Sequence, residues 1–302
     1  MHALSAVSGT TTPRLVELPD PTPGTGEVVI DVTAAGINPA DAQVVAGPLR
    51  EAFGLPAEVG LGWDVSGVVS AVGTDVDGFA VGDRVTGLHA DLAAPARAQA
   101  ARVVLPAAAV APLPDGLDPV AAASIPLNAL TAAQALDLLG PADGRSLLVT
   151  GAAGAVGGYA IALAAAAGWR VSGLARESDR EFVTGITGTD GTPVDLVTEL
   201  PERGFDAVLD AAALQEGALS AIVDGGAFVG VFPPAPVQPE REITVQAVSV
   251  TTDGARLAEL LRRSASGELA VRVAASYPLG DAAEAYRRVG EGGLRGRVLL
   301  TP

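Results

Sequence analysis

Residues 146–176 read SLLVTGAAGAVGGYAIALAAAAGWRVSGLAR, and the fold turns on how this stretch is read. Ser146–Thr150 has the short apolar pattern of a buried strand. Gly151, Gly154 and Gly157 follow at a G-x-x-G-x-x-G spacing. The Ala-rich run 158–167 is long enough for about three helical turns. A second apolar strand, 169–175, closes the unit. Strand, glycine turn, helix and strand in this order seat a pyrophosphate on a helix N-terminus. Gly151 permits the tight turn out of the strand. Gly154 lets the backbone approach the phosphates, and Gly157, with Ala155 and Gly158, lets helix and sheet pack closely. The expected contacts to a dinucleotide are Gly151, Ala152, Gly154, Ala155, Val156 and Gly157.

The end of the second strand indicates which dinucleotide. An NAD site usually carries Asp or Glu here, to accept from the ribose 2′-OH. This chain has Ala175 and then Arg176. A carboxylate would repel a 2′-phosphate, whereas a guanidinium holds it bidentately. The expectation is NADPH, with Arg176 as the phosphate ligand and Ser178 assisting. Glu177, next in sequence, works against it.

Composition narrows the chemistry. A chain of 302 residues suggests two domains, and 49% hydrophobic content supports a sizeable core. The longest apolar runs are too short to span a bilayer. The N-terminus MHALSAVS has neither a basic segment nor a long apolar one, so a cytoplasmic location without a secretory signal is expected. A formal charge of −16 disfavours nucleic acid and anionic membranes as partners. There is no Cys, which removes disulfides, thiolate nucleophiles and Cys-ligated zinc. All 19 basic residues are Arg, so Schiff-base lysines and the Walker-A lysine are absent too. The two His residues, His2 and His89, are far apart, which leaves no His-rich metal site. Nucleotide-dependent redox chemistry survives this filter, because its cofactor carries the hard step.

Residues 1–118 read as mostly β, with Gly and Pro punctuation suited to a barrel-like or sandwich-like domain. Expected strands cover 27–34, broken by GINPAD at 36–41, then 63–73, a turn and strand at 79–85, 102–105 and 110–113. At Asp115 the texture changes. Residues 118–139 read as one helix, with Asp118 as N-cap and Pro119 at its first position. Beyond the nucleotide unit, 205–210 and 227–232 are buried strands, with Gly225–Gly226 as the turn into the second. Residues 253–264 form a helix whose Leu257, Leu260 and Leu261 share a face. Residues 297–301 are a strand.

Several motifs in order carry a resemblance: AAGINPAD (34–41), LGWDVSGVVSAVG (61–73) with FAVGDRVTG (79–87), ASIPLNALTAAQAL (123–136), VTGAAGAVG (149–157) and LRGRVLL (294–300). Over nearly its whole length the chain resembles the zinc-independent quinone oxidoreductase (zeta-crystallin-like) branch of the medium-chain dehydrogenase/reductase superfamily. The resemblance implies an α/β protein. A GroES-like β-rich catalytic domain (1–118 with the return 252–302) would enclose a Rossmann NADPH-binding domain, a doubly wound parallel sheet (119–251). It also implies a homodimer and a small-molecule substrate.

Zinc members of the superfamily have Cys near the position of Asn38 and Gly-His-Glu where this chain has Gly62-Trp63-Asp64. By motif, Asn38 and Asp41 are expected near the nicotinamide, with Thr131 and Asn128 beside the cofactor. Hydride would pass to a quinone or an α,β-unsaturated carbonyl, with Asn38 donating to the substrate oxygen. Asp64 is expected to be a structural hydrogen-bonder. Phe53 and Trp63 are the aromatic candidates for the substrate cleft. His89, just after a strand, is expected at the surface. The usual Tyr after the Asn-Pro-x-Asp motif is missing, and the usual Ala-Glu-Tyr has become Ala100-Ala101-Arg102. Two alternatives stand: an enoyl or keto reductase tailoring a biosynthetic intermediate, and an NADPH-binding redox sensor or structural protein without turnover.

Arg176→Ala is expected to lower the preference for NADPH over NADH by about tenfold, the worth of one charge-assisted pair. The measurement is the ratio of the two dissociation constants by nicotinamide fluorescence, and an unchanged ratio would contradict the assignment.

Overall fold

The structure, a computed structural model, describes residues 1–235 and 237–302. Two compact units divide the chain: residues 1–127 with 251–302, and residues 128–250. The division after Leu127 puts 119–127 with the first unit, where the sequence reading set the boundary after residue 118.

The first unit opens with β1 (His2–Val7), β2 (Arg14–Glu17), β3 (Glu27–Ile37), α1 (Pro39–Ala46), α2 (Pro48–Ala52), β4 (Glu58–Gly60), β5 (Asp64–Val72), β6 (Arg84–Leu88), β7 (Arg102–Pro106), β8 (Val110–Pro112) and α3 (Pro119–Ala122). β1 pairs antiparallel with both β2 and β4. β3 is the spine of the larger sheet. Its first half pairs with β7, and almost its whole length pairs with β5, both antiparallel. Val28, Ile30, Val65, Val69, Val85, Val103 and Leu105 form the core between these strands.

Helix α4 (Pro126–Leu139) leads into the second unit. There follow β9 (Ser146–Thr150), α5 (Ala155–Ala166), β10 (Arg170–Leu174), α6 (Arg180–Thr184), β11 (Asp195–Val197), β12 (Phe205–Asp210), α7 (Glu216–Leu219), β13 (Ile222–Gly230) and β14 (Thr244–Ala247). The sheet is parallel throughout, in the order β11-β10-β9-β12-β13-β14. This is the doubly wound order, whose reversal beside β9 marks the ligand crevice. Residues 198–204 carry the chain from β11 to β12 without a helix. Leu200 packs there against the core of Leu148, Val208, Leu219, Ile222 and Phe228.

The chain then returns to the first unit through α8 (Gly254–Ala265), β15 (Val273–Pro278), α9 (Ala282–Gly290) and β16 (Arg297–Thr301). Asp253 caps α8 by accepting from Arg256 N. Leu257, Leu260 and Leu261 are fully buried, each worth roughly 1.5–3 kcal/mol relative to exposure. β16 pairs antiparallel with the second half of β3.

Four local expectations change. β3 runs on through Gly36 to Ile37, because β16 pairs with that stretch and overrides the glycine. The helix expected over 118–139 is two helices. Asp118 does cap the first, accepting from Ala121 N, but Pro126 lacks an N–H to continue it and starts α4 instead. Gly225–Gly226 lies inside β13, where the register jumps against β12 and Gly225 has a φ of +76°. Helix α5 begins at Ala155, three residues ahead of the Ala-rich run.

The turn from β9 into α5 depends on one close approach. Gly151 has a φ of +60°, and a Cβ on Gly157 would lie 2.2 Å from Gly151 O. Gly157→Ala must therefore shift backbone against backbone. It is expected to cost about 2 kcal/mol or more, read as a lower midpoint in denaturant unfolding, together with weaker dinucleotide binding. Unchanged stability would contradict this packing.

Candidate functional site

The residues singled out in the sequence fall in both units.

In the second unit the glycine turn sits at the carboxyl end of β9. Gly154 is the N-cap of α5 and has no side chain to occupy the first-turn N–H groups. Ala155, Val156 and Gly157 form that first turn. An anion at such a helix start meets backbone donors and the positive end of the helix dipole. Ala152 is buried, its N–H bonded to Leu174 O, which ties the turn to β10.

Beside it lies a buried pair at the ends of β9 and β12. Thr150 Oγ1 donates to Asp210 Oδ1 at 2.5 Å, and Asp210 is fully buried. Ala212 N donates to Thr150 Oγ1, and Gln215 N to Asp210 Oδ2. These bonds fix the 211–215 loop against Gly151, with Ala213 at φ +54° and Gln215 at φ +57°. Both residues end neighbouring parallel strands, which is the signal that could have found them.

At the end of β10, Arg176 and Ser178 are exposed. Arg176 has no ion-pair partner among the described residues. Glu177 is held by Arg180, whose Nε and Nη2 donate to its two carboxylate oxygens at 2.5 and 2.7 Å. Asn128 and Thr131, on α4, are both buried. The glycine turn and the start of α5 fit the phosphates of a dinucleotide.

In the first unit Asn38 is the centre of a buried polar network. The residue before a proline is pushed to extended backbone, and Asn38 sits at φ −106°, ψ 155° as the N-cap of α1. Its Nδ2 donates to Asp64 Oδ2 at 2.6 Å. Its Oδ1 accepts from Arg297 Nη2 at 2.6 Å, and the same nitrogen donates to Ile37 O. Asp64 Oδ1 accepts from Leu127 N at 2.6 Å. Asp64 is thus a structural hydrogen-bonder, and burial raises its pKa.

Asp41 accepts from Asn38 N and from Gly62 N, both at 2.8 Å, and is fully buried. With both oxygens engaged, it positions the Asn38 turn and the Gly62-Trp63 segment. Burial pushes its pKa to about 6, opposed by Arg97 and by the two N–H donors.

Arg97 was not anticipated. It is 1% exposed, stacks 4.2 Å over the Trp63 ring, and donates from Nη2 to His89 O. Burial lowers its pKa to about 10. Trp63 is therefore a buried stacking partner. Phe53 ends α2 and is 47% exposed. His89 is buried rather than at the surface. Burial and Arg97 bring its pKa to about 4, so the imidazole is neutral at pH 7. Gln99 Nε2 donates to Gly36 O, and its Oε1 accepts from Tyr286 OH. Among the described residues no group of three or more His, Cys, Asp or Glu is placed to hold a metal ion.

Two families match by sequence: an alcohol dehydrogenase GroES-like domain over residues 24–115, and a zinc-binding dehydrogenase domain over residues 183–300. The chain belongs to the medium-chain dehydrogenase/reductase superfamily. It is 31% identical to erythronolide synthase of Saccharopolyspora erythraea over 91% of its own length but only 8% of that protein. It is 27% identical to the chloroplast envelope quinone oxidoreductase homolog of Arabidopsis thaliana, covering all of this chain and 98% of that one. The solved quinone oxidoreductase of Coxiella burnetii superposes with a TM-score of 0.87 at 24% identity, covering 100% of this chain and 99% of that one, a likeness of fold. No helix among the described residues is long and apolar enough to cross a membrane.

The buried carboxyl of Asp41 has a testable pH signature. Its folded pKa of about 6 lies above the ordinary 3.8, so between those values the folded protein holds a proton that the unfolded chain releases. Its contribution to stability is full below about pH 4 and lost as pH rises through about 6. Measured by urea unfolding, the stability of the wild type relative to Asp41→Asn is expected to fall by up to about 3 kcal/mol from pH 4 to pH 7. A difference that does not change with pH would contradict this.

Proposed function

We propose that the protein is an NADPH-dependent, zinc-independent oxidoreductase that transfers hydride to a quinone or an α,β-unsaturated carbonyl. The observation that supports this reading is the glycine turn of the second unit, together with an exposed Arg176 just after β10, where an NAD site usually carries Asp or Glu. NADPH, when bound, supplies the hydride.

Gly151, Ala152, Gly154, Ala155, Val156 and Gly157 would hold the pyrophosphate, with Asn128 and Thr131 as further contacts. Arg176 and Ser178 would hold the 2′-phosphate. Asn38 is assigned to the substrate oxygen, where negative charge develops and a fixed donor is worth most. Arg297 and Asp64 fix its amide in one orientation, and Asp41 holds its backbone. Phe53 and Trp63 are assigned to the acceptor side, Phe53 as an exposed ring and Trp63 as the wall backed by Arg97. Pairing of two copies, with β14 as one edge of the parallel sheet, belongs to the same reading.

The match to erythronolide synthase favours a second reading, in which the acceptor is the enoyl or keto group of a biosynthetic intermediate. Cofactor chemistry is common to both, so the acceptor separates them. NADPH and NADH oxidation against a panel of quinones, 2-enones and enoyl thioesters is the deciding assay. Turnover with NADPH is expected, and the preferred acceptor class decides between the readings. Tight NADPH binding with no acceptor reduced would favour a sensor.

Asn38→Ala is expected to lower kcat by about 100-fold, the cost of one donor to a developing oxyanion, with the NADPH dissociation constant changed less than threefold. Equal effects on both would contradict its assignment.

A further inference from the structure

Four charged side chains, Arg176, Glu177, Asp179 and Arg180, sit where β10 gives way to α6, and they are not equivalent. Arg176 is exposed and without an ion-pair partner among the described residues. Glu177 follows it directly and carries a charge opposed to any phosphate that Arg176 would bind. Arg180 lies three residues on, a spacing that puts it on the same side of the turn as Glu177. Its guanidinium grips Glu177 as a fork, Nε to Oε1 at 2.5 Å and Nη2 to Oε2 at 2.7 Å. The bond also keeps the Glu177 carboxyl below its usual pKa, so it is ionised throughout the working range. The other acid of the turn, Asp179, is buried.

We infer that Arg180 is a second determinant of dinucleotide choice: it neutralises and holds aside Glu177, leaving the charge of Arg176 unopposed for a 2′-phosphate. This rests on the NADPH reading with Arg176 as phosphate ligand. A dinucleotide with a bare 2′-OH gains nothing from the clamp, because Glu177 could serve as its acceptor. The clamp therefore acts on the ratio of the two affinities. Both partners of the pair are more than half exposed, so the effect is moderate and weakens as salt rises.

The experiment is a set of dissociation constants for NADPH and NADH, read by nicotinamide fluorescence at low salt. The proteins are the wild type, Arg176→Ala, Arg180→Ala, Glu177→Gln and the double variant Glu177→Gln/Arg180→Ala. All three positions are at the surface, and a thermal melt confirms that each variant is folded. Arg180→Ala is expected to lower the NADPH preference threefold to tenfold. Glu177→Gln alone is expected to keep or raise it. The double variant is expected to recover to within twofold of Glu177→Gln, and the loss in Arg180→Ala to shrink in 0.5 M salt.

If Arg176→Ala leaves the preference unchanged, the phosphate site itself is wrongly placed. If Arg176→Ala lowers it but Arg180→Ala does not, the site stands and the clamp is overturned. If Arg180→Ala lowers it and removing the Glu177 charge restores nothing, Arg180 acts on the ligand directly and the clamp is again overturned.

Discussion

Asn38 joins parts of the first unit that are far apart in the chain. Its amide lies between Arg297, 259 residues later, and Asp64, 26 residues later. Asp64 in turn accepts from Leu127 at the head of α4. A buried carboxylate is costly unless its lone pairs are filled, and a buried amide is costly unless both of its ends are bonded. Each residue here meets the requirement of another. The consequence is rigidity: removing one partner leaves a buried charge or an unfilled amide, a penalty of roughly 1–3 kcal/mol per group. Such a network gives the turn at 38–41 one conformation.

The second unit reaches its order by contact instead. No side chain fills the turn between β9 and α5, and the backbone of residue 157 approaches that of residue 151 more closely than any Cβ permits. The same economy appears in the crossover over 198–204, where a short segment with Leu200 packed into the core replaces a helix. The parallel sheet keeps its order regardless, because β9, β10 and β12 are tied by their own ladders. The Thr150–Asp210 pair then fixes the loop that faces the glycine turn. Charge completes the contrast. Without Lys, the chain uses arginine for its side-chain cations, from stacking on Trp63 to gripping Glu177.

What the sequence revealed was what neighbours in sequence determine. The strand 146–150, the strands 205–210 and 297–301, the cap at Asp118 and the buried stripe of α8 are local patterns, and the structure has them there. The parallel sheet followed from the strand–glycine–helix order. What stayed hidden depends on distant partners. Gly36 reads as a breaker until β16 lies beside it. Arg97 and Arg297 take their places from distant partners, one stacking on Trp63 and the other reaching Asn38. His89 follows a strand, which says nothing of what covers it. Pro126 was legible as a helix breaker, and the Ala-rich texture around it masked the break. Arg297 had one signal, a lone charge at the start of the apolar strand RVLLT.

The most direct test of the central claim is a single turnover. Protein loaded with one equivalent of NADPH, or of NADPH carrying deuterium at C4, is mixed with excess acceptor, and the loss of nicotinamide absorbance is followed. The account predicts that at least one quinone or enone oxidises the bound cofactor, that deuterium slows the step, and that NADH in its place binds more weakly. Tight cofactor binding without oxidation by any acceptor, or a rate blind to deuterium with NADH bound equally well, would contradict it.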